Sequence, residues 1–231
     1  MPAGNHSIWA KFNANAADHL NWSVSMSLPH LVNKAYVLVD IVDVAPDPAS
    51  YGENLTIEAY VYIYDPSSTD IYTVTDILDI EFYAGTDLLG TDQTVWDPSN
   101  GVVIISNVSL PAGEHTLSAS FAGDSNLVQG NSGNLSFIVD KVSAVVVLTS
   151  DLTNSVYGQT VTFTAGVTAP AGADFTLDPP AGTVTFYAEG DPIGTVALSA
   201  GSAVLQISSL EVGDYNITCS YNGDSNFNET Q

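Results

Sequence analysis

Residues 110–127 read LPAGEHTLSASFAGDSNL, and residues 210–227 read LEVGDYNITCSYNGDSNF. In the first, Leu110, His115, Leu117, Ala119 and Phe121 fall on one face, and Glu114, Thr116, Ser118 and Ser120 on the other. In the second, Tyr215, Ile217, Cys219 and Tyr221 alternate in the same way. Period two marks a half-buried strand. The Gly-Asp-Ser-Asn that closes each phrase, at 123–126 and 223–226, is turn chemistry. Residues 1–13, MPAGNHSIWAKFN, enter the same phrase part-way. Repetition at this long spacing indicates an array of like domains rather than one large core.

The match continues upstream. Tyr51-Gly52-Glu53-Asn54-Leu55-Thr56-Ile57 pairs with Tyr157-Gly158-Gln159-Thr160-Val161-Thr162-Phe163. Glu81-Phe82-Tyr83-Ala84 pairs with Thr185-Phe186-Tyr187-Ala188, and Gly90 with Gly194. Leu135, Phe137 and Val139 alternate again after the first turn. Each repeat thus offers several short alternating strands, and apolar residues nowhere recur with helical period. The pattern predicts an all-β, two-sheet sandwich.

The order Y-G-x-x-[VL]-T, G-x-[VI]-x-F-Y, L-x-x-G-x-[YH] and G-D-S-N-[FL] resembles the bacterial and archaeal Ig-like repeat domains of large cell-surface proteins. The resemblance covers nearly the whole chain. It implies tandem Ig-like β-sandwiches with partial repeats at both ends, and roles as spacers, stalks, adhesin shafts or envelope components. The chain lacks the Cys…Trp…Cys core of antibody-type domains, and Trp9, Trp22 and Trp96 do not sit at matching positions.

Strand counting assigns 1–34 to the last two strands (F and G) of a preceding or partner repeat. It assigns 35–141 to a complete repeat 1, and 142–231 to a repeat 2 that lacks its last strand. Val32-Asn33-Lys34 and Val139-Asp140-Lys141 are the linkers, too short for free hinge motion. Met1 aligns with Leu110, so the natural start is expected upstream or removed. A lone hairpin leaves Trp9, Phe12, Trp22, Val24, Met26 and Leu28 in water. A sandwich without its G strand leaves a sheet edge open. The strand around Trp22, Val24, Met26 and Leu28 could complete repeat 2 of another copy, a contact that propagates. The plainer alternative is an excerpt of a longer array. Complementation also has to place the extra F strand, since repeat 2 already has its own.

Composition narrows the setting. Asp+Glu number 26 against Lys+Arg 3, giving a net charge of −23. The cations are Lys11, Lys34 and Lys141, with no arginine. Such a charge argues against nucleic acid, whose phosphates it would repel, and against an anionic membrane surface; it suits a solvated surface protein, a cation-rich medium, or both. It also leaves trypsin-like proteases few sites. The single cysteine, Cys219, aligns with Ala119 and Ala10 and reads as a small core residue. No stretch has the length and apolarity of a membrane helix, and the N-terminus has no secretory-signal pattern.

Seven Asn-x-Ser/Thr sequons occur, at Asn5, Asn21, Asn54, Asn107, Asn134, Asn216 and Asn228. Alternation or loop placement turns all of them outward, as a glycan requires. Asp40, Asp43 and Asp47 follow the first linker, Asp140 lies in the second, and Asp124 and Asp224 sit in the F–G turns. These are weak calcium candidates, without EF-hand spacing, and Asp-Ser-Asn is equally an ordinary Asx turn. Asp76, Asp79 and Glu81 read as a polar strand face. Among the histidines His6, His19, His30 and His115, His6 and His115 share the inward position of Tyr215 and read as structural. No nucleophile–base set, phosphate loop or HExxH appears, so no enzyme is expected. A Lys–Asn isopeptide needs a buried lysine, and Lys34, Lys141 and Lys11 lie in linkers and on an outward face. No cofactor is expected beyond a possible calcium, and the expected partners are copies of the chain or flanking Ig-like repeats.

The reading is a structural cell-surface protein, a tandem Ig-like rod in an extracellular filament, sheath or surface layer. The alternative is an adhesin or carbohydrate-binding stalk, for which residues 65–79 and Trp96 are the candidates. An enzyme's accessory domain is a third.

Overall fold

A computed structural model describes residues 1–13, 22–64, 77–95, 101–171 and 179–231. Among the described residues all regular structure is β. The N-terminal hairpin is β1 (Gly4–Ile8), β2 (Lys11–Phe12), β3 (Ser23–Val24) and β4 (Leu28–Val32). Repeat 1 holds β5 (Ala35–Ala45), β6 (Ala49–Ser50), β7 (Leu55–Tyr64), β8 (Ile77–Ala84) and β9 (Asp87–Val95). It continues with β10 (Val102–Val108), β11 (Gly113–Phe121), β12 (Leu127–Val128), β13 (Gly130–Asn131) and β14 (Leu135–Asp140). Repeat 2 holds β15 (Val142–Ser143), β16 (Val145–Ser150), β17 (Val161–Thr168) and β18 (Thr183–Ala188). Its last strands are β19 (Asp191–Ala197), β20 (Ser202–Ile207), β21 (Ile217–Tyr221) and β22 (Phe227–Asn228).

Repeat 1 has one sheet in the order β10-β7-β5-β12 and a second in the order β6-β14-β11-β8-β9, with β13 on β11. Repeat 2 follows the same paths with fewer strands: β16-β17-β20 and β19-β18-β21. In both repeats a bulge falls inside the Phe-Tyr pair, between Phe82 and Tyr83 and between Phe186 and Tyr187. Each Phe faces a glycine across the strands, Gly90 and Gly194. The aligned sequence motif is therefore one local geometry used twice.

By compactness the chain divides into two units. The first comprises Met1–Asp43, Ile57–Ile105 and Leu117–Leu135, and the second Val44–Thr56, Ser106–Thr116 and Ser136–Gln231. The first unit buries Val37, Val39, Ile57, Ala59, Val61 and Ile63 on one sheet and Leu78, Ile80, Phe82, Leu117 and Ala119 on the other. The second buries Val161, Phe163, Ala165 and Val167 with Val184, Phe186, Cys219 and Tyr221. Cys219 lies directly across from Phe186, as Ala119 lies across from Phe82. A small residue opposite a phenyl ring lets the layers interdigitate. The Cys219 thiol is buried, and burial raises its pKa. It is a packing residue.

Candidate functional site: a joint built twice

The Gly-Asp-Ser-Asn turns set up the joint. Asp124 Oδ1 accepts from the N–H groups of Asn126 and Leu127, each at 2.7 Å. Asp224 Oδ1 accepts from Asn226 and Phe227, each at 2.8 Å. These are Asx turns, in which the carboxylate replaces backbone partners. The preceding glycines have φ of +84° at Gly123 and +74° at Gly223. A Cβ there would lie 2.9 Å from Gln129 N or from Phe227 O, so only glycine fits.

With its backbone held by the aspartate, each asparagine turns its side chain to a distant loop. Asn126 Oδ1 accepts from Ala3 N–H at 3.0 Å. Asn226 Oδ1 accepts from Ala112 N–H at 3.0 Å. Ala3 and Ala112 occupy the same place in the repeated Pro-Ala-Gly. The two linker lysines also act alike: Lys34 Nζ donates to Asp124 O at 2.5 Å, and Lys141 Nζ to Asp224 O at 2.6 Å. The strand after each lysine then pairs in parallel with the end of its turn, Leu127 with Ala35 and Val142 with Phe227.

The second joint adds an aromatic contact. Tyr51 and Phe227 meet edge to face, with centroids 5.5 Å apart at 84°. Tyr51 is 6% exposed, and Phe227 and Asn226 are fully buried. An aromatic pair of this geometry contributes about 0.5–1.5 kcal/mol beyond its buried area. A neutral hydrogen bond adds about 1 kcal/mol.

Behind each turn contact, the loop that supplies the alanine N–H is braced from within. His115 Nε2 lies 2.7 Å from Pro111 O, and His6 Nε2 lies 2.7 Å from Pro2 O. A carbonyl only accepts, so both rings carry the proton on Nε2. Tyr215 OH makes the equivalent bond to Glu211 O at 3.3 Å. The three aligned residues therefore close a corner at the strand start, as tyrosine does in other sandwiches. His6 and His115 are half-buried, so their task is this corner bond more than core filling. His19 lies outside the described residues.

Asp224 uses both of its carboxylate oxygens. Its Oδ2 accepts from Ala181 N–H at 2.8 Å and from Tyr221 OH at 2.9 Å. Burial raises its pKa, but the N–H groups of Ala181, Asn226 and Phe227 and the Tyr221 hydroxyl outweigh that and leave it lowered. Tyr221, fully buried, has its pKa pushed well up by burial and by the Asp224 hydrogen bond.

The other sequence candidates are placed as follows. Asn5, Asn54, Asn107, Asn134, Asn216 and Asn228 are exposed, and Asn21 lies outside the described residues. Asn107 holds φ of 60°, a conformation asparagine tolerates. Asn228 Nδ2 donates to Lys141 O at 3.2 Å, inside the joint. Asp40, Asp43, Asp140, Asp124 and Asp224 do not gather. Among the described residues no three acidic, histidine or cysteine side chains are grouped as a metal would need. Residues 65–76, including Asp76, and Trp96 lie outside the described residues. Asp79 is exposed and Glu81 half-buried, on the outer side of β8.

The hairpin repeats the F–G geometry of repeat 1 in detail. Ser25 N donates to Ala10 O and Ser25 Oγ accepts from Ala10 N, each at 2.9 Å. Ser132 and Ala119 make the same two bonds at 2.9 Å. Trp22, Val24, Met26 and Leu28 are all exposed, Met26 at 91%.

Sequence reasoning passed over one surface. The outer side of β5, β7 and β10 exposes Tyr36, Leu38, Tyr60, Tyr62, Tyr64 and Ile104. Tyr36 packs on Tyr64 with centroids at 5.9 Å, and Tyr60 on Tyr62 at 6.1 Å. Its signal was visible as tyrosine at 60, 62 and 64. Counted on from the match of Leu55 with Val161, the corresponding residues of repeat 2 are Gly166, Thr168 and Pro170.

Residues 148–231 match the family model described as the bacterial Ig-like domain (group 3). No curated protein sequence matches the chain. Among solved structures, the adhesin InvE of Yersinia pseudotuberculosis aligns with 14% identity and a TM-score of 0.44, over 83% of this chain and 57% of that one. A glycosyl hydrolase family 2 member from Bacteroides cellulosilyticus aligns with 14% identity and a TM-score of 0.27, over 84% of this chain and 28% of that one. The chain thus spans less than two thirds of either structure.

Proposed function

With residues 148–231 a bacterial Ig-like domain, we propose that the chain is a structural protein of the cell exterior. Its Ig-like repeats join end to end in an extracellular filament, sheath or surface layer. The work is mechanical, and no catalytic centre or resident metal is assigned to it. The observation that carries this reading is the joint: the same asparagine, lysine and parallel strand contacts occur at two places in one chain. A joint made from recurring sequence is what a serial array needs. The net charge of −23 keeps such a surface solvated.

The exposed strand of Trp22, Val24, Met26 and Leu28 is assigned to contact between copies by strand complementation. Asn5, Asn21, Asn54, Asn107, Asn134, Asn216 and Asn228 are assigned as glycan acceptors. Both assignments meet one test: sedimentation of the glycosylated full chain beside a chain lacking residues 1–33. Concentration-dependent growth that vanishes on deletion supports complementation, and growth that persists overturns it. Intact mass of the same sample reads occupancy.

A second reading, an adhesive or carbohydrate-binding stalk, is favoured by the tyrosine face of Tyr36, Tyr60, Tyr62 and Tyr64. Exposed tyrosines present stacking surface at low conformational cost. Glycan-array binding that is lost on Tyr62→Ser would favour it.

A further inference from the structure

Repeat 2 carries the other half of the joint, uncovered. In repeat 1 the receiving surface is Tyr51, which packs on Phe227, and Ala112, whose N–H donates to Asn226 Oδ1. The aligned residues in repeat 2 are Tyr157 and Val212. Tyr51 is 6% exposed and Tyr157 70%, while Val212 is 88% exposed. Gly52 is buried, and Gly158 is exposed.

The Tyr-Gly turn is built alike in both repeats, with φ of 89° at Gly52 and 82° at Gly158. Ser50 N donates to Glu53 Oε2 at 2.7 Å, and Val156 N donates to Gln159 Oε1 at 3.1 Å. Both hold the Tyr-Gly turn in one shape. His115 and Tyr215 each close the corner beside the alanine or valine N–H. The difference lies in the cover. Val156, Tyr157 and Val212 are exposed apolar residues at positions aligned with the occupied receiving surface of repeat 1.

We propose that Tyr157 and Val212 form a receiving site for the Gly-Asp-Ser-Asn-(Phe or Leu) turn of a further Ig-like repeat. The incoming asparagine side-chain oxygen accepts from Val212 N–H, and the apolar residue after it packs on Tyr157. This rests on the array reading and names the partner at one site. The occupant is a further repeat rather than the turns of a second copy. Both such turns in this chain are already engaged, Asn126 by Ala3 and Asn226 by Ala112.

The probe is the full chain extended after Gln231 by a second copy of residues 132–231. That addition supplies a last strand, a Lys linker and a complete turn in register with the repeat. Amide exchange at Val212 is compared with Ala112 in the same sample. The expected result is slowing at Val212 by at least about tenfold, toward Ala112, with Tyr157 shielded from solvent. Asn226→Ala in the added copy alone should return Val212 to fast exchange, with circular dichroism showing that copy still folded. Fast exchange at Val212 in the extended chain, beside a protected Ala112, would overturn the site. Protection of Val212 in the unextended chain that grows with concentration would overturn the occupant in favour of a second copy. Neither result depends on filaments forming, so the site can fail while the filament reading stands, and the reverse.

Discussion

Asn226 accepts a hydrogen bond from the backbone N–H of Ala112, 114 residues earlier in the chain. Asn126 and Ala3 repeat it across 123 residues. Each bond ties a turn of one repeat to the loop of the segment before it.

Asn226→Ala should weaken the joint more than an average surface change. The side chain is buried, so loss of its oxygen leaves the Ala112 N–H without an acceptor at a cost of about 1–3 kcal/mol. Chemical denaturation should lose cooperativity between the segments, with core packing in repeat 2 retained by near-ultraviolet circular dichroism. Ser125→Ala, in the turn of repeat 1, is the matched control and should change little.

Gly223→Ala tests the turn itself. A Cβ at φ of +74° would approach Phe227 O to 2.9 Å. The left-handed conformation alone costs about 1–2 kcal/mol for a residue other than glycine. Thermal unfolding should show at least that loss. Gly133→Ala, with positive φ but open space, should cost less.

Asp224 sets an acid limit. Its folded-state pKa lies below the unfolded value. Ionised Asp224 therefore contributes stability above the ordinary carboxylate pKa of about 3.9, lost as pH falls through the folded value. Stability measured from pH 7 downward should be flat near neutrality and fall in this acid range. Asp224→Asn should remove that part of the fall and lower stability near neutrality by about 1–3 kcal/mol, because one amide cannot replace two accepting oxygens.

Much of this was legible in the sequence, for a definite reason. Alternation at Leu117, Ala119 and Phe121 and at Ile217, Cys219 and Tyr221 reports burial directly, because the side-chain period of a strand is two. Cys219 was readable as a core residue because its aligned partner is Ala119. The roles of Asn126, Asn226, Lys34 and Lys141 were not readable. Their partners lie far away in sequence, and a turn asparagine looks the same whether its side chain meets water or a neighbouring loop. Only the recurrence of Pro-Ala-Gly, the linker lysine and Gly-Asp-Ser-Asn hinted at one joint. His6 and His115 were read inward on alternation, but a ring can fold back onto its own loop without leaving that face.

Trp22→Ser with Met26→Ser should leave stability nearly unchanged, since both side chains are already exposed. Self-association should fall sharply if this strand joins copies. Sedimentation velocity over a concentration series reads the difference.

The most direct measurement is electron microscopy of the native material, with intact mass on the same sample. The expected result is filaments or sheets with a repeat of one Ig-like domain along the axis, and mass added in glycan-sized steps. Dispersed, unmodified single molecules at all concentrations would contradict it.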